Sequence, residues 1–380
     1  MGKIMKNDIN KQKYSLEIKP IFKEYKNAIV FESSAFFAPY LSVVLISLLK
    51  NISKENNYDI IILTHEIDDY DCEILLDIVK DFKNVSLRFF DPTNIVEKYI
   101  KESRYKYLDI NYYRLSLPWI LKEYDRVLNL GADIIIEKDI INLLECKMSD
   151  KTYLAGAIDL GYLGRLKMDI PKEELGLCNP EGYINADVLV FDLKNIRRDF
   201  TQDKVMELWQ QYKFRCSEQD ALNLLFEKHI KYINLKWNIF PIRMASMEHI
   251  MLNKEEMIEL WNNCLKDPYI IHYAAYPKPW DYPMVGYGNK WWKYARQSPY
   301  YEEFIRRMSL TTVKIYNEEN KILGRKCLDW LFPKGTKRRQ YLKNLFPKNS
   351  MQREFIKRIY YTFFKNYNKE YNKKFGKCNK

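Results

Sequence analysis

The chain is poor in the features that would mark a secreted scaffold, a zinc module or a membrane span. It has seven cysteines in 380 residues: Cys72, Cys146, Cys178, Cys216, Cys264, Cys327 and Cys378. The number is odd, no two are close, and no zinc-ligand spacing appears. That fits a reducing compartment better than a disulfide framework. No secretory signal is visible, because residues 1–27 mix lysines with acids and lack an apolar core. The most apolar run, Ala35 to Leu49, is about 15 residues long and is broken by Pro39. It is too short to span a bilayer and reads as a buried helix following a strand. Histidine is scarce, with only His65, His229, His249 and His272. There is no internal repeat, and no motif for nucleic-acid binding.

What is present is enough apolar residue, 47%, for a sizeable core, and an uneven charge. The chain carries +12 in total, but residues 333–380 hold 15 Lys/Arg against Glu354 and Glu370. The tail is therefore about +13 and the preceding 332 residues are close to neutral. Such asymmetry points to an anionic partner of the tail alone.

Short apolar runs at Ala28–Phe31, Asp59–Thr64 and Val85–Phe90 predict strands. Tyr40–Asn51 and Tyr70–Phe82 between them have helical apolar spacing. Arg126–Leu130 and Ile134–Ile136 flank a Gly131-Ala132-Asp133 run, and Tyr153–Ile158 and Val188–Phe191 are further strand candidates. Ser217–Phe226 reads as a helix, with Ser217 as its cap and Asp220 in its first turn. The alternation predicts an α/β fold with a largely parallel sheet covered on both faces. Ligands of such sheets bind beyond the carboxyl ends of the strands, where Gly131–Asp133 falls.

Six segments in order then resemble glycosyltransferase family 8, the retaining enzymes that move a hexose from a nucleotide sugar. They are Ile29–Leu41, Tyr112–Leu115, Leu128–Ile136, Tyr183–Leu189, Ser217–Asn223, and the closing Ile271–Trp280, which contains His-x5-Lys-Pro-Trp. Each is weak alone; together they cover residues 26–285. The resemblance implies a GT-A fold, a UDP-sugar donor, a Mn2+ or Mg2+ ion, and transfer to a lipopolysaccharide, capsular or other glycan acceptor. It divides the chain into an N-terminal arm (1–25), the transferase domain (26–285) and a helical basic region (286–380).

Carried over residue by residue, the resemblance makes Asp133 and His272 metal ligands. Lys278 becomes a diphosphate-binding cation, and Arg114 a donor-site arginine. Asn185, Ala186 and Asp187 become a loop against the donor sugar. Gln219 and Asp220 lie near the anomeric carbon, and Asp159 is a weaker sugar-hydroxyl contact. Each has a plainer reading: Asp133 as a strand-end turn residue, His272 as a core histidine, Lys278 as a surface lysine, Arg114 as one ion pair. Trp280 reads as packing.

The departures from the family pattern lie on the donor side. Gly131 stands where the first carboxylate of an Asp-x-Asp pair is expected. The run Ser33-Ser34-Ala35-Phe36-Phe37 stands where an Asp and an Asn are expected near the uracil and ribose, so hydroxyls and aromatic surface replace those polar contacts. Ala275 replaces a glycine, and Asp187 replaces a small residue. These departures leave open a second reading: a catalytically silent GT-A domain that binds a sugar nucleotide or glycan and partners an active transferase.

In the tail, Phe355, Ile356, Ile359, Tyr360, Phe363, Phe364 and Tyr367 fall on one helical face, with Arg353, Lys357, Arg358 and Lys365 off it. A basic helix with an aromatic face reads as an interfacial anchor, and equally as a terminal helix packed on its own domain. The first reading places the protein in the cytoplasm of a bacterium, peripheral to the inner membrane.

Overall fold

The computed structural model describes residues 18–22, 27–101, 109–159, 175–211, 214–241, 255–274 and 277–312, with a few positions between 334 and 344. The aromatic stripe at residues 351–368, Ala275 and most of the loops 160–182 and 240–255 lie outside the described residues.

Strands β1 (Asn27–Glu32), β2 (Tyr58–Leu63), β3 (Val85–Phe90), β4 (Arg126–Leu130), β5 (Ile134–Ile136), β6 (Leu154–Ile158), β7 (Ile184–Asp192), β8 (Ile230–Tyr232) and β9 (Ile270–His272) form two sheets. The larger runs β3-β2-β1-β4-β7-β6-β8, and the smaller pairs β5 with β9. Parallel pairing joins β3, β2, β1 and β4, and also β6 with β8. Strand β7 is antiparallel to both β4 and β6. The sheet is thus mostly parallel, as expected, with a reversed strand beside its centre.

The strand sequences explain why both faces are covered. In β1, Ile29 and Phe31 join one apolar cluster, and Ala28 and Val30 join the other. In β2, Ile60 and Ile62 divide from Ile61 and Leu63 in the same way. A strand buried on both sides needs an unbroken apolar run, which is what these sequences supply. Helix α1 (Ala38–Asn51) covers the first face; Pro39 sits in its first turn, where a missing N–H costs nothing. Residues Ala38–Leu49 of this helix are all buried, and each Leu or Val among them contributes roughly 1.5–3 kcal/mol. Helix α2 (Asp69–Val79) is capped by Asp68, whose side chain accepts from the Asp71 N–H. Helices α3 (Thr93–Lys101) and α4 (Asp109–Ile120) follow. Buried Tyr112, Tyr113, Leu115 and Leu117 of α4 belong to the second cluster.

After the short α5 (Ile141–Leu144), helices α6 (Leu193–Asp199), α7 (Gln202–Gln211) and α8 (Ser217–Phe226) pack around the second face; α9 (Glu255–Lys266) and α10 (Gly288–Ala295) follow, and residues 301–312 are also helical. Helix α8 has the expected bounds but not the expected cap. Cys216 occupies the capping position, and Ser217 adopts a left-handed φ of 51°. Asp220 does the capping instead, its Oδ2 accepting from the N–H groups of Arg215 and Cys216 at 2.8 Å each. A first-turn acid reaching back in this way satisfies the N–H groups of the turn entering the helix, as the acidic half of a capping box does.

The chain forms two compact units, Met1–Met308 and Ser309–Lys380. Among the described residues no helix is long and apolar enough to cross a membrane. The described cysteines, Cys72, Cys146, Cys178, Cys216 and Cys264, are all free thiols.

Candidate metal and donor site

The sequence order of the strands reverses between β1 and β4. In an open α/β sheet the crevice at such a reversal receives the ligand. Glu32 ends β1 there with Ser33 next after it, and Gly131, Ala132 and Asp133 leave β4. Because β7 runs the other way, its beginning, Asn185 to Asp187, lies against the same end of β4. The N–H of Gly131 donates to the carbonyl of Asp187 at 2.9 Å. Pairing of β5 with β9 sets Ile134 opposite His272, and the Tyr273 N–H donates to the Asp133 carbonyl. Three strands thus deliver Asp133, Asp187 and His272 to one point, where a ligand-capable atom of each lies within 4.8 Å of the others.

His272 is 1% exposed, and its Nε2 makes no hydrogen bond. That atom faces Oδ1 of Asp133 and Oδ2 of Asp187, each at 3.4 Å. Its Nδ1 lies 2.9 Å from Oδ1 of Asn238, whose own amide donates to Oδ1 of Asn185 at 2.8 Å. With the Asn238 amide so oriented, Nδ1 carries a proton, which leaves Nε2 as the nitrogen that takes either a metal ion or, without one, a second proton. Each carboxylate gives its other oxygen to a cation. Oδ2 of Asp133 accepts from Lys278 at 2.5 Å, and Oδ1 of Asp187 from Arg114 at 3.2 Å. A buried nitrogen without a partner, aimed between two carboxylate oxygens, fits a hard or borderline divalent cation.

Electrostatics point the same way. Burial opposes a charge on His272, yet Asp133 and Asp187 raise its pKa all the same. Burial would raise Asp133 as well, but the charges of His272 and Lys278 hold its carboxyl well below the usual range. The locus is built to keep a positive charge between two carboxylates.

Arg114, 6% exposed, is surrounded by three carboxylates: Glu32 at 3.2 Å, Asp187 at 3.2 Å and Glu218 at 2.9 Å. Burial pushes Glu32 and Glu218 up, against the pull of Arg114. Asn129 of β4 donates to Glu32 at 2.8 Å. Deeper in the crevice, Gln219 accepts from the Ala186 N–H at 2.9 Å and from Asn185 at 3.1 Å. Its amide donates to Asp159 and to the Tyr183 hydroxyl. Asn185 also donates to Asp159, at 3.0 Å.

The structure therefore gathers Asp133, His272, Asp187, Lys278 and Arg114 in one group, and Asn185, Ala186, Asp159 and Gln219 in an adjoining network. Asp220, 1% exposed, is turned away into its cap and accepts from the Tyr183 hydroxyl. The Ser33 hydroxyl donates to the Ser34 carbonyl at 3.2 Å, and that carbonyl also receives the Phe37 N–H. This pair shapes the turn into α1. Trp280 stacks on Tyr40 at 4.2 Å and is core, as its sequence reading has it. Sequence reasoning missed Glu32, Glu218 and Asn238. An acid closing the apolar run of β1 was a usable signal for Glu32, and Glu218 adjoins Gln219; nothing in the sequence distinguishes Asn238.

Comparison with known proteins gives this site a setting. A family model described as Glycosyl transferase family 8 matches residues 28–283. A lipopolysaccharide 1,2-glucosyltransferase of Escherichia coli is 26% identical over 248 residues, covering 63% of this chain and 68% of that protein. Among solved structures, the bifunctional glycosyltransferase WbbM superposes with a TM-score of 0.70 at 22% identity, over 77% of this chain and 53% of that one. The galactosyltransferase LgtC, solved with donor and acceptor sugar analogues, gives 0.59 at 22% identity, over 72% of this chain and 96% of its own. The expected GT-A fold is the one these neighbours share.

Proposed function

Because the chain belongs to glycosyl transferase family 8, we propose that it moves a hexose, glucose or galactose, from a UDP-sugar to a lipopolysaccharide, capsular or other glycan acceptor, with retention of anomeric configuration. The observation that supports this most is the convergence of Asp133, Asp187 and His272 beside Lys278 at the β1/β4 crevice. A divalent ion, Mn2+ or Mg2+, supplies Lewis-acid neutralisation of the diphosphate leaving group when bound there.

The chain's own residues do the rest. Lys278 brings a second positive charge to the diphosphate. Asn238 fixes the His272 tautomer. Arg114, tied to Glu32, Asp187 and Glu218, holds the donor-facing wall in place. Gln219 presents its amide beside Asn185 and Asp159 where the sugar ring is expected. Asp220 acts through the fold, by setting the turn that carries Gln219. Residues 333–380 are assigned in the same proposal to an anionic membrane surface at the cytoplasmic face.

The silent-domain alternative rests on Gly131, Ser34 and Phe36; at the metal locus, three ligand-capable side chains meet despite the glycine. The test is a panel of UDP-sugars with Mn2+ and a glycan acceptor, read as UDP release. The expected result is metal-dependent turnover, abolished by EDTA and restored by added Mn2+. Absence of both turnover and UDP binding at millimolar ligand would overturn the reading.

A further inference from the structure

Gly131 and Asp187 occupy facing positions on neighbouring antiparallel strands. The register pairs Leu130 with Val188, so the next pair outward is Gly131 with Asp187, joined by the Gly131 N–H to Asp187 carbonyl bond at 2.9 Å. Side chains at directly opposed positions share one space. A Cβ added at Gly131 would stand 3.0 Å from Cβ of Asp187, 3.2 Å from its Cγ, and 3.1 Å from Oδ1 of Asp133. The room where a side chain at 131 would sit is therefore taken by the carboxylate of Asp187. That carboxylate turns Oδ2 to the unpartnered Nε2 of His272, in parallel with Oδ1 of Asp133.

We propose that Asp187 is the third metal-holding side chain of this site, a carboxylate exchanged across the β4–β7 pair, and that Gly131 is the condition for it rather than a defect. The inference rests on the metal-dependent transferase reading and deepens it. A carboxylate is not missing; it reaches the metal locus from the opposite strand. The two positions form one unit that admits one side chain: glycine with aspartate, or aspartate with a small residue.

The experiment uses the full-length protein with Mn2+ as the probe. Binding is followed by electron paramagnetic resonance of free Mn2+ and by calorimetry, with and without UDP. Four variants are compared: D187N, D187A, G131D and G131D/D187A. Both changes at 187 are expected to lower Mn2+ affinity about 10–100-fold. G131D alone is expected to give no gain, because it crowds two carboxylates already in place. G131D/D187A is expected to recover most of the affinity that D187A lost, a non-additivity characteristic of side chains sharing one site. D187N keeps the shape of the side chain, and the melting temperature of each variant is measured alongside. An unchanged Mn2+ affinity in D187N and D187A, or a double variant no tighter than D187A, overturns the exchange. In that event metal-dependent turnover of the wild type would still stand, so the two readings fail separately. A wild type that binds UDP but no Mn2+ overturns both.

Discussion

His272 shows how little a residue's type says until its second nitrogen is accounted for. Its Nδ1 is held by Asn238, and Asn238 by Asn185, so the orientation of the ring is set by a chain of amides from β7. Asn238→Leu removes the acceptor and leaves the tautomer unfixed. The expected outcome is a Mn2+ affinity lower by roughly 10–100-fold with unchanged metal-free UDP binding, read by calorimetry. A variant that binds Mn2+ as the wild type does would remove Asn238 from the site. Gly131→Ala tests the neighbouring contact without altering charge. The methyl group meets Asp187 and Asp133 at 3.0–3.1 Å, so one carboxylate must yield. We expect about a tenfold weaker Mn2+ affinity, while an Ala variant equal to wild type would mean that the side chains give way freely. At this scale the sequence was only partly legible. Asp133 and His272 stand in motifs, but the role of Asp187 depends on a facing strand that no linear spacing reveals.

Elements meet at Arg114, where helix α4, the end of β1, the start of β7 and the first turn of α8 are tied by one guanidinium. Arg114→Met fills the space but leaves Glu32 buried without its cation. Removing one partner of a buried pair costs about 3–5 kcal/mol. The loss depends on pH with a definite sign. The Glu32 carboxyl is already raised by burial in the folded state, and more so without Arg114. A raised carboxyl pKa leaves stability intact below the unfolded value and removes it as pH rises through the folded one. Urea melts should therefore show a smaller deficit for R114M at about pH 5 than at about pH 8. An equal deficit at both would mean that Glu32 is not what the missing cation exposes.

The element boundaries divide along the same line between core and site. β5 coincides with its apolar run because a doubly buried strand is apolar throughout, and β3 and β4 match their expected bounds although they carry Ser86, Arg88, Arg126 and Asn129. β7 was visible only from Val188 to Phe191, although it begins at Ile184. Its first residues, Ile184 to Asp187, alternate apolar with polar, and Asn185 and Asp187 belong to the site, so the site itself broke the apolar run that would have identified the strand. Strands β8 and β9, three residues each, are too short to carry a period. Helix α8 shows the reverse case. Its length was legible from apolar spacing, and its cap was not, since Asp220 caps from inside. Asp220→Ala should destabilise the fold by about 1.5–3 kcal/mol, the range for hydrogen bonds to a charged group, seen as a shifted urea midpoint with unchanged slope. If Asp220 instead carries the chemistry, D220A would keep its stability and lose turnover.

For the whole molecule, the division of charge suggests a division of labour. The first unit ends at Met308, while the cationic excess begins near residue 333. A near-neutral body gains nothing from an anionic surface. A stretch with 15 basic residues against two acids does, at about 1 kcal/mol for each cation close to the leaflet before screening. A glycan acceptor built on lipid would then be met by an enzyme already held at its surface. The full-length protein should sediment with vesicles containing phosphatidylglycerol, and not with phosphatidylcholine alone. The bound fraction should fall steeply as salt rises, because the Debye length shrinks to about 3 Å at 1 M. A chain of residues 1–332, which spares the first unit, should stay in the supernatant under all of these conditions while keeping its turnover of a soluble acceptor. Equal sedimentation of the two chains would assign the charge of the tail to something other than the membrane.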